Sequence, residues 1–179
     1  MSTHGDGGRT GTTTQRDGGT RWTAAPRLGV LFAVALPFLA LPSAAAAQDE
    51  AGAYAAVEQI FEGMRTADSD LVRAVFAADA RFAMIDTRES PPRVRVQSVE
   101  GWIGAIGNSG GSWDEQIYDV EVTVDGSMAS VWAPYTFYRD GAISHCGINS
   151  IELLHDGSGW KVTQISDTRR QSDCPDPLG

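Results

Sequence analysis

The first apolar residues that repeat regularly along the chain do so with a helical period. Between residues 51 and 65 they recur at spacings of three and four, at Tyr54, Val57, Phe61 and Met64. This spacing places them on one face and predicts an amphipathic helix over residues 51–65. A second, shorter stripe predicts another helix and consists of Leu71, Val72, Val75 and Phe76. Asp68 or Ser69 would cap its start, because both side chains accept hydrogen bonds from unpaired backbone N–H groups.

Two short strands and a third helix follow. The segments 82–85 and 94–96 are mainly apolar and flank a polar, proline-containing stretch, which is typical of short strands. Ser98 would then cap a helix that contains Trp102, Ile103 and Ile106. The glycine-rich segment 107–111 ends this helix, since glycine disfavours a helical backbone.

From Trp113 onwards apolar and polar residues alternate with a period of two, which indicates half-buried β-strands. The alternation is clearest at Tyr118, Val120, Val122 and Val124. Asp125-Gly126 and Asp140-Gly141 have the composition of tight hairpin turns, and a third turn is predicted at residues 156–159. These turns divide the chain into at least four consecutive antiparallel strands. Helices followed by such strands predict the α+β class, with a curved antiparallel sheet packed on the N-terminal helices.

The first 47 residues are organised like a secretory signal segment. Residues 1–27 have no apolar period, and residues 28–40 are a predominantly apolar stretch. Ala45 and Ala47 fit the A-x-A rule, which predicts cleavage after Ala47 and export to the periplasm or the extracellular space. The chain then consists of a signal peptide with a disordered n-region, residues 1–47, and one domain, residues 48–179. The alternative is an uncleaved membrane anchor over residues 28–47, about the 20 residues needed to cross a bilayer.

Composition and charge narrow the classes of partner. The 179 residues are enough for one domain, and 14 basic against 23 acidic residues give a formal charge of −9. The chain therefore has no basic surface for phosphates, and nucleic acid is not expected as a partner. Two cysteines and three histidines are too few for a cysteine-rich or histidine-rich metal site, so no metal and no cofactor is expected. In an oxidising compartment, Cys146 and Cys174 instead predict a disulfide that ties the C-terminal tail to a strand.

The strand at residues 145–154 presents candidate binding residues. Ile151 is expected in the core, and counting back by two places Asn149 and His145 on the same side. Asn149 is either a polar group of a binding pocket or part of a structural network with Gln164, because a buried amide needs partners. Three roles are open to His145: a hydrogen-bonded strand residue, a ligand contact or a general base.

Hairpin pairing predicts the neighbours of this strand. A two-residue turn at Asp140-Gly141 would bring Trp132 near Asn149 and Thr136 near His145. The last hairpin would bring Gln164 towards Asn149. The predicted ligand-binding residues are therefore Asn149, His145, Gln164 and Trp132.

The first hairpin leads to a different assignment of the two faces. It pairs Val122 with Ala129, and that apolar face continues along the chain to Tyr135, Cys146 and Ile148. Both faces cannot be the only core. Either a bulge near Pro134 or Gly147 resets the alternation, or a partner or the tail covers the outer face. Both explanations stay open at this point.

Asp167 and Arg169 lie near the end of the last predicted strand. Simple alternation turns Asp167 away from Asn149, which favours a structural role in a surface or tail-holding ion pair. Arg169 would bind an anionic ligand if the strand twists inward at its end.

Several segments of the chain resemble one superfamily. VEQIFEGMRTADSDLVRAVFAADARF resembles its first helix pair, and its later strands resemble WDEQIYDV, VWAPYTFY, SHCGINSIELL and GWKVTQISDTRR. This is the nuclear transport factor 2-like superfamily and its lumazine-binding branch, similar to polyketide-cyclase-like and ketosteroid-isomerase-like domains. The resemblance covers roughly residues 53–175 and implies a cone-shaped barrel with a pocket, often dimeric through the sheet. Because members include isomerases, dehydratases, polyketide cyclases and transport adaptors, the fold alone does not assign a reaction.

We therefore expect an exported, single-domain protein that binds a small molecule and has no clear catalytic set. One alternative is an isomerase or lyase that uses His145 as general base, so the question of enzyme activity stays open. The other is a homodimeric interaction module with Tyr135 and Ile148 on an apolar outer face. A homodimer is the expected assembly, and a membrane is an expected partner only if the signal segment is uncleaved.

Overall fold

A computed structural model describes residues 44–87 and 89–179, with side chains from Asp49 onwards. In this part of the chain the helices are α1 (Ala44–Thr66), α2 (Ser69–Arg73) and α3 (Val99–Gly107). The predicted n-region and apolar stretch lie outside the described residues, so the signal peptide and the alternative anchor stay predictions. α1 begins earlier than predicted and runs through the predicted cleavage position. No helix in the described ranges is long and apolar enough to cross a membrane.

The strands of the described residues form one seven-stranded sheet: β1 (Phe76–Asp86), β2 (Arg93–Gln97), β3 (Trp113–Ile117), β4 (Glu121–Asp125), β5 (Met128–Arg139), β6 (Ala142–His155) and β7 (Trp160–Arg169). Their order is β2-β1-β7-β6-β5-β3, and β4 also pairs with β5. The run from β4 to β7 is antiparallel throughout, which confirms the predicted succession of four strands. The sheet as a whole is mixed, because β1 pairs with β7 in parallel. The predicted α+β class is confirmed, with a curved sheet that does not close on itself.

Capping side chains determine where α2 and α3 begin. The Asp68 carboxylate accepts hydrogen bonds from two backbone N–H groups of α2, at 3.0 and 2.9 Å. The Ser98 hydroxyl accepts one from the N–H of Gly101 at 3.0 Å. Both positions are predicted caps, and Asp68 rather than Ser69 takes this role before α2. The second helix is shorter than its apolar stripe, since Phe76 already belongs to β1.

The strand predicted to begin at Trp113 is in fact two strands that share one partner. β5 pairs with β4 through its first half and with β3 through its second half. Between β3 and β4, Asp119 has a φ of +46°, a left-handed conformation that interrupts the extended backbone. Pro134 of β5 lies at this junction, where its carbonyl accepts a hydrogen bond from the N–H of Tyr118 at 3.1 Å. One long strand therefore holds two short strands in line.

A one-residue bulge in β6 resolves the conflict between the two predicted faces. Next to the turn, β5 and β6 pair in the register of a two-residue hairpin, but Ser144 is an extra residue. Beyond it every pair is shifted by one, so Asn149 lies opposite Ala133 instead of Trp132. The apolar side of β5 and the side of β6 that carries Asn149 thus face the same core. The predicted bulge exists, but it lies at Ser144 rather than near the proline or the glycine named above.

The same shift corrects the predicted outer face. Tyr135 is 1% exposed and belongs to the inner face, whereas Ile148 alternates to the outer one. Thr136 pairs with Cys146 and not with His145, and it too lies on the outer face. The prediction that Tyr135 and Ile148 share an exposed apolar surface is therefore wrong.

The inner face of the sheet packs on the helices. Fully buried side chains of the sheet include Val131, Ala133, Ile151, Leu153 and Val162. The helices cover them with residues that include Val57, Ile60, Val72, Ile103 and Ile106. Each larger apolar side chain stabilises the fold by about 2 kcal/mol when it leaves water. This core holds α1 and α3 against one face of the sheet.

The C-terminal tail covers part of the outer face. Cys146 of β6 and Cys174 of the tail form a disulfide, with their Cα atoms 5.5 Å apart. The Thr136 hydroxyl donates a hydrogen bond to the carbonyl of Pro175 at 2.8 Å. The Tyr138 hydroxyl donates one to the carboxylate of the residue that follows this proline. The predicted disulfide and its attachment of the tail to a strand are both confirmed.

Candidate functional site

A cavity of about 450 Å³ lies between the inner face of the sheet and the helices α1 and α3. Its wall combines apolar and polar side chains in similar proportion, and the apolar ones include Phe61, Phe82, Trp102, Trp113, Phe137 and Ile151. The rings of Phe82 and Trp102 meet edge to face at 5.1 Å, and those of Trp113 and Phe137 at 5.9 Å. Such walls bind apolar bodies, and the volume lies in the range of small-molecule sites.

The cavity opens where α3 begins. Its exposed lining residues are Ser98, Gly101, Ala105 and Arg139. The guanidinium of Arg139 lies 5.5 Å from the centre of the Trp113 ring, which is a cation–π contact. A positive charge and an aromatic ring therefore meet at the mouth.

Polar side chains from three strands meet at one region of the wall. They are Glu115 of β3, His145 and Asn149 of β6, and Asp167 and Arg169 of β7. Asn149 is paired with Asp167 across the β6–β7 ladder, and Glu115 is paired with Phe137 across the β3–β5 ladder. The strand order and the bulge thus bring together residues that lie up to 54 positions apart.

Glu115 is the central acidic group of this cluster. The Asn149 amide donates a hydrogen bond to its carboxylate, with Nδ2 and Oε1 2.8 Å apart. Burial raises the pKa of Glu115 to about 7, the Asn149 hydrogen bond opposes this rise, and the negative charge of Asp167 adds to it. The carboxyl therefore changes its charge close to neutral pH.

Asp167 forms a compact ion pair with Arg169. Guanidinium Nε donates to one carboxylate oxygen and Nη2 to the other, both at 3.0 Å. Burial raises the pKa of Asp167, and the hydrogen bonds and charge of Arg169 oppose this rise. The ion pair was expected at the surface or against the tail, but it lines the cavity. The reason is a bulge in β7, between the pairs that β6 makes at Glu152 and Leu153, which turns Asp167 to the inner face.

His145 lies against aromatic side chains at the edge of this cluster. Its ring is 5.0 Å from that of Phe137 and 5.8 Å from that of Tyr135. Its Nδ1 is 3.2 Å from the Ser144 hydroxyl, so the bulged residue also contacts this ring. His145 lines the cavity as predicted, and its role stays a prediction.

Gly147 allows β6 and β7 to approach each other beside the cluster. A Cβ atom there would lie 1.8 Å from the carbonyl oxygen of Thr168, which no side chain tolerates. The same carbonyl accepts a hydrogen bond from the Tyr135 hydroxyl at 2.9 Å. Burial raises the pKa of Tyr135 further above its ordinary value, so this hydroxyl keeps its proton.

Two predicted site residues lie outside the cavity. Trp132 is 49% exposed and pairs with Ser150 on the outer face. Gln164 is exposed and donates a hydrogen bond to the Ser166 hydroxyl at 3.2 Å. Both were expected beside Asn149, and both placements are wrong, because the bulges in β6 and β7 shift the pairing that a regular ladder would give.

Glu115 was not among the predicted site residues, although the sequence carries a signal for it. Glu115 lies between Trp113 and Ile117 at a spacing of two, so β3 has one acidic residue in an otherwise apolar row. A carboxylate in such a row either destabilises the core or has a function that requires its burial. In residues 44–87 and 89–179, no cluster of three or more histidine, cysteine or acidic residues could hold a metal ion.

Comparisons with known proteins identify the fold. No family model matches the chain, and no curated protein matches it. A solved NTF2-like protein of unknown function from Shewanella baltica is 16% identical, with 70% of this chain and 97% of that chain covered and a TM-score of 0.54. A candidate dehydratase of the NTF2-like family from Streptomyces avermitilis is 13% identical, with 70% and 99% covered and a TM-score of 0.55.

A third solved structure is the β subunit of a candidate aromatic-ring-hydroxylating dioxygenase from Novosphingobium aromaticivorans. It is 13% identical, with 71% of this chain and 92% of that chain covered and a TM-score of 0.58. The chain therefore has the nuclear transport factor 2-like fold, as the resemblance of its strand segments implied. The lumazine-binding branch stays a prediction.

Proposed function

We propose that this chain is a small-molecule-binding protein whose ligand occupies the cavity between the sheet and α1 and α3. The observation that carries the proposal is the cavity itself, about 450 Å³ bounded by aromatic and aliphatic side chains on one part of its wall and by a cluster of polar side chains on another. Binding sites for small molecules combine an apolar body with a few polar groups that orient the ligand. The solved structures described above share the fold and are consistent with this class of function.

Export is the second part of the proposal. The apolar stretch at residues 28–40 and the alanines before residue 48 support a signal peptide cleaved after Ala47. The Cys146–Cys174 disulfide is compatible with an oxidising compartment. Native mass spectrometry of the protein expressed from its full sequence tests this directly, since a chain beginning at Gln48 is expected. The same spectrum reports the oligomeric state, for which a homodimer stays the prediction.

A pocket-filling variant tests whether the cavity binds. Ala105 lines the mouth, so Ala105→Trp places an indole in the cavity, whereas a Cβ at Gly104 on the same helix meets nothing within 4 Å. Gly104→Trp is therefore the matched control. The neutral fluorescent probe N-phenyl-1-naphthylamine should bind the wild type and Gly104→Trp and lose most of its binding in Ala105→Trp. Equal binding to both variants would place the probe elsewhere and contradict the proposal.

Asn149 tests the polar cluster. A small molecule retained through purification should be lost from Asn149→Ala, because this amide is 4% exposed and holds Glu115 in place. Gln164→Ala is the control, since this second amide lies on the outer face of β7. Retention of the same mass by Asn149→Ala would remove Asn149 from the site.

Proton transfer in the same cavity is the second candidate function, and Glu115 favours it. A carboxyl with a pKa of about 7 inside an apolar cavity accepts and returns a proton at neutral pH, as a general base must. Glu115 is a better candidate for this role than His145, because it is the group that the Asn149 amide positions. Turnover of a carbonyl or hydroxyl substrate that Glu115→Gln abolishes and His145→Gln retains would support this candidate.

A further inference from the structure

The two carboxylates in the cavity wall differ in their partners, because one forms a salt bridge and the other is bonded to a neutral amide. The two carboxylates of the polar cluster are Glu115 and Asp167, and Asp167 binds the guanidinium of Arg169 through both of its oxygens. Glu115 accepts a hydrogen bond from the neutral amide of Asn149. Among the described residues, no arginine or lysine forms a salt bridge with Glu115.

The positively charged side chains near Glu115 make their contacts with other groups. Arg169 directs two of its nitrogens at Asp167, and it acts on Glu115 only through its field. Arg139 is exposed at the mouth and lies over the Trp113 ring. Arg65 of α1 contacts Asp114, the neighbour of Glu115 in sequence, at 3.7 Å. An ionised Glu115 thus faces the cavity without a counter-charge from these groups, an arrangement that costs free energy unless a ligand supplies the charge.

We propose that the ligand carries a protonated amine that pairs with Glu115, on an aromatic or alicyclic body that fills the cavity. This inference rests on the proposed binding function and names the class of ligand. The ring of Phe137 lies opposite Glu115 in the ladder, and Trp113 precedes it by two on the same face. Aromatic faces attract an ammonium group, and the remaining apolar wall receives the carbon skeleton.

The expected pH dependence has a definite sign. An ammonium group needs the ionised form of Glu115, whose pKa is about 7. The ionised fraction then rises about tenfold between pH 6 and pH 8, and the affinity for an amine rises with it. A neutral ligand that accepts a hydrogen bond from the protonated carboxyl would show the opposite trend.

Other charged and titratable groups surround Glu115 and must be controlled. They are Asp114 on its own strand, Tyr135 and Arg139 on β5, His145 on β6, Asp167 and Arg169 on β7, and Arg65 on α1. Of these, histidine is the side-chain type whose charge ordinarily changes between pH 5 and 8. His145→Gln therefore separates its contribution from that of Glu115.

The experiment compares two ligands with the same indole body by isothermal titration calorimetry at pH 6, 7 and 8. Tryptamine carries the amine, and tryptophol carries a hydroxyl in its place. At pH 8, tryptamine should bind at least about tenfold more tightly than tryptophol, because a hydrogen bond between charged groups contributes more binding free energy than one between neutral groups. Its affinity should fall about tenfold at pH 6. Both effects should persist in Gln164→Ala, whose side chain is exposed on the outer face, and vanish in Glu115→Gln. The pH dependence that remains in His145→Gln is the part due to Glu115.

The outcomes separate this inference from the proposed function. If tryptophol equals tryptamine in the wild type, or if tryptamine binds more tightly at pH 6, the amine proposal is overturned while binding of the naphthylamine probe still supports the cavity as a site. If neither indole binds a protein that binds the probe, the amine proposal is also overturned. If the probe itself does not bind, the proposed function fails first. The wild-type pH series needs no variant, so a misfolded Glu115→Gln would not obscure the answer.

Discussion

On the sheet formed by β3 and β5 to β7, the two faces differ in how fully their polar side chains are bonded within the chain. On the outer face, the hydroxyls of Thr136 and Tyr138 and the sulfur of Cys146 are all bonded to the tail of the same chain. On the inner face, Glu115 is held by one amide beside an open cavity. Folding supplies bonding partners for these polar groups of the outer face, whereas in our proposal a ligand supplies the charged partner of Glu115 on the inner face. In our proposal, the availability of bonding partners within the chain distinguishes structural polar groups from ligand-binding ones more clearly than residue type does.

Removing the disulfide should have the largest effect on this comparison. The two cysteines are separated by 28 residues, and closing such a loop stabilises the native state by about 3 to 4 kcal/mol in the chain-entropy model. The double variant Cys146→Ala/Cys174→Ser should lose this amount in urea unfolding followed by circular dichroism. The folded fraction should still bind the naphthylamine probe with unchanged affinity. A loss of probe binding without a loss of stability would break the comparison, because it would couple the two faces.

The second largest expected effect is a pH dependence of the unfolding free energy that is due to Glu115. Its pKa is raised from 4.5 to about 7, so the folded chain keeps a proton that the unfolded chain releases between these values. Stability therefore falls as the pH rises through this range, by about 3 kcal/mol in total. The unfolding free energy of the wild type minus that of Glu115→Gln should therefore fall by this amount from pH 4 to pH 8.

The control for this series is Gln164→Ala, whose side chain is exposed on the outer face. Its unfolding free energy should follow that of the wild type at every pH, within about 0.5 kcal/mol. A wild-type curve parallel to that of Glu115→Gln would mean that Glu115 titrates like an exposed residue. The contrast between the two faces would then be lost.

The smallest expected effect concerns a single hydrogen bond on the outer face. Thr136→Val removes the hydroxyl that donates to Pro175 while it keeps the shape of a fully buried side chain. The loss should be about 1 kcal/mol by urea unfolding. The tail should also become more accessible to carboxypeptidase digestion, with Ser166→Ala on β7 as the comparison. An unchanged stability would show that the Thr136 hydrogen bond does not contribute to holding the tail.

Much of the fold was predictable from local patterns. The amphipathic spacing of α1, the caps at Asp68 and Ser98 and the turn at Asp140-Gly141 all depend on neighbours in sequence, and all are found in the structure. The other predicted Asp-Gly turn lies one residue later, because Asp125 pairs with Met128 and Val122 pairs with Val131 instead of Ala129. The boundary between β3 and β4 was not predictable, because the left-handed backbone at Asp119 interrupts an alternation that continues in the letters. The parallel pairing of β1 with β7 also has no local signal.

The candidate site was predictable only in part, and register is the physical reason. Asn149 and His145 were placed correctly, since alternation along β6 alone assigns their side. Trp132 and Gln164 required pairing across two ladders, and one extra residue in each ladder moved them to the other face. Glu115 was not predicted, because the predicted pocket residues came from the alternation along β6 and its hairpin partners, and Glu115 lies on β3. An acidic residue inside an apolar row was the available signal.

The parallel pair of β1 and β7 has a consequence for synthesis. Phe82 pairs with Ile165, so the strand that opens the sheet joins the strand that ends it. As the chain emerges residue by residue, β1 and β2 have no place in the sheet until the last strand is made. Folding is therefore completed only after the C-terminus has left the ribosome. Until then Phe82 and the other apolar residues of β1 lack their neighbouring strand, so the incomplete sheet exposes apolar surface.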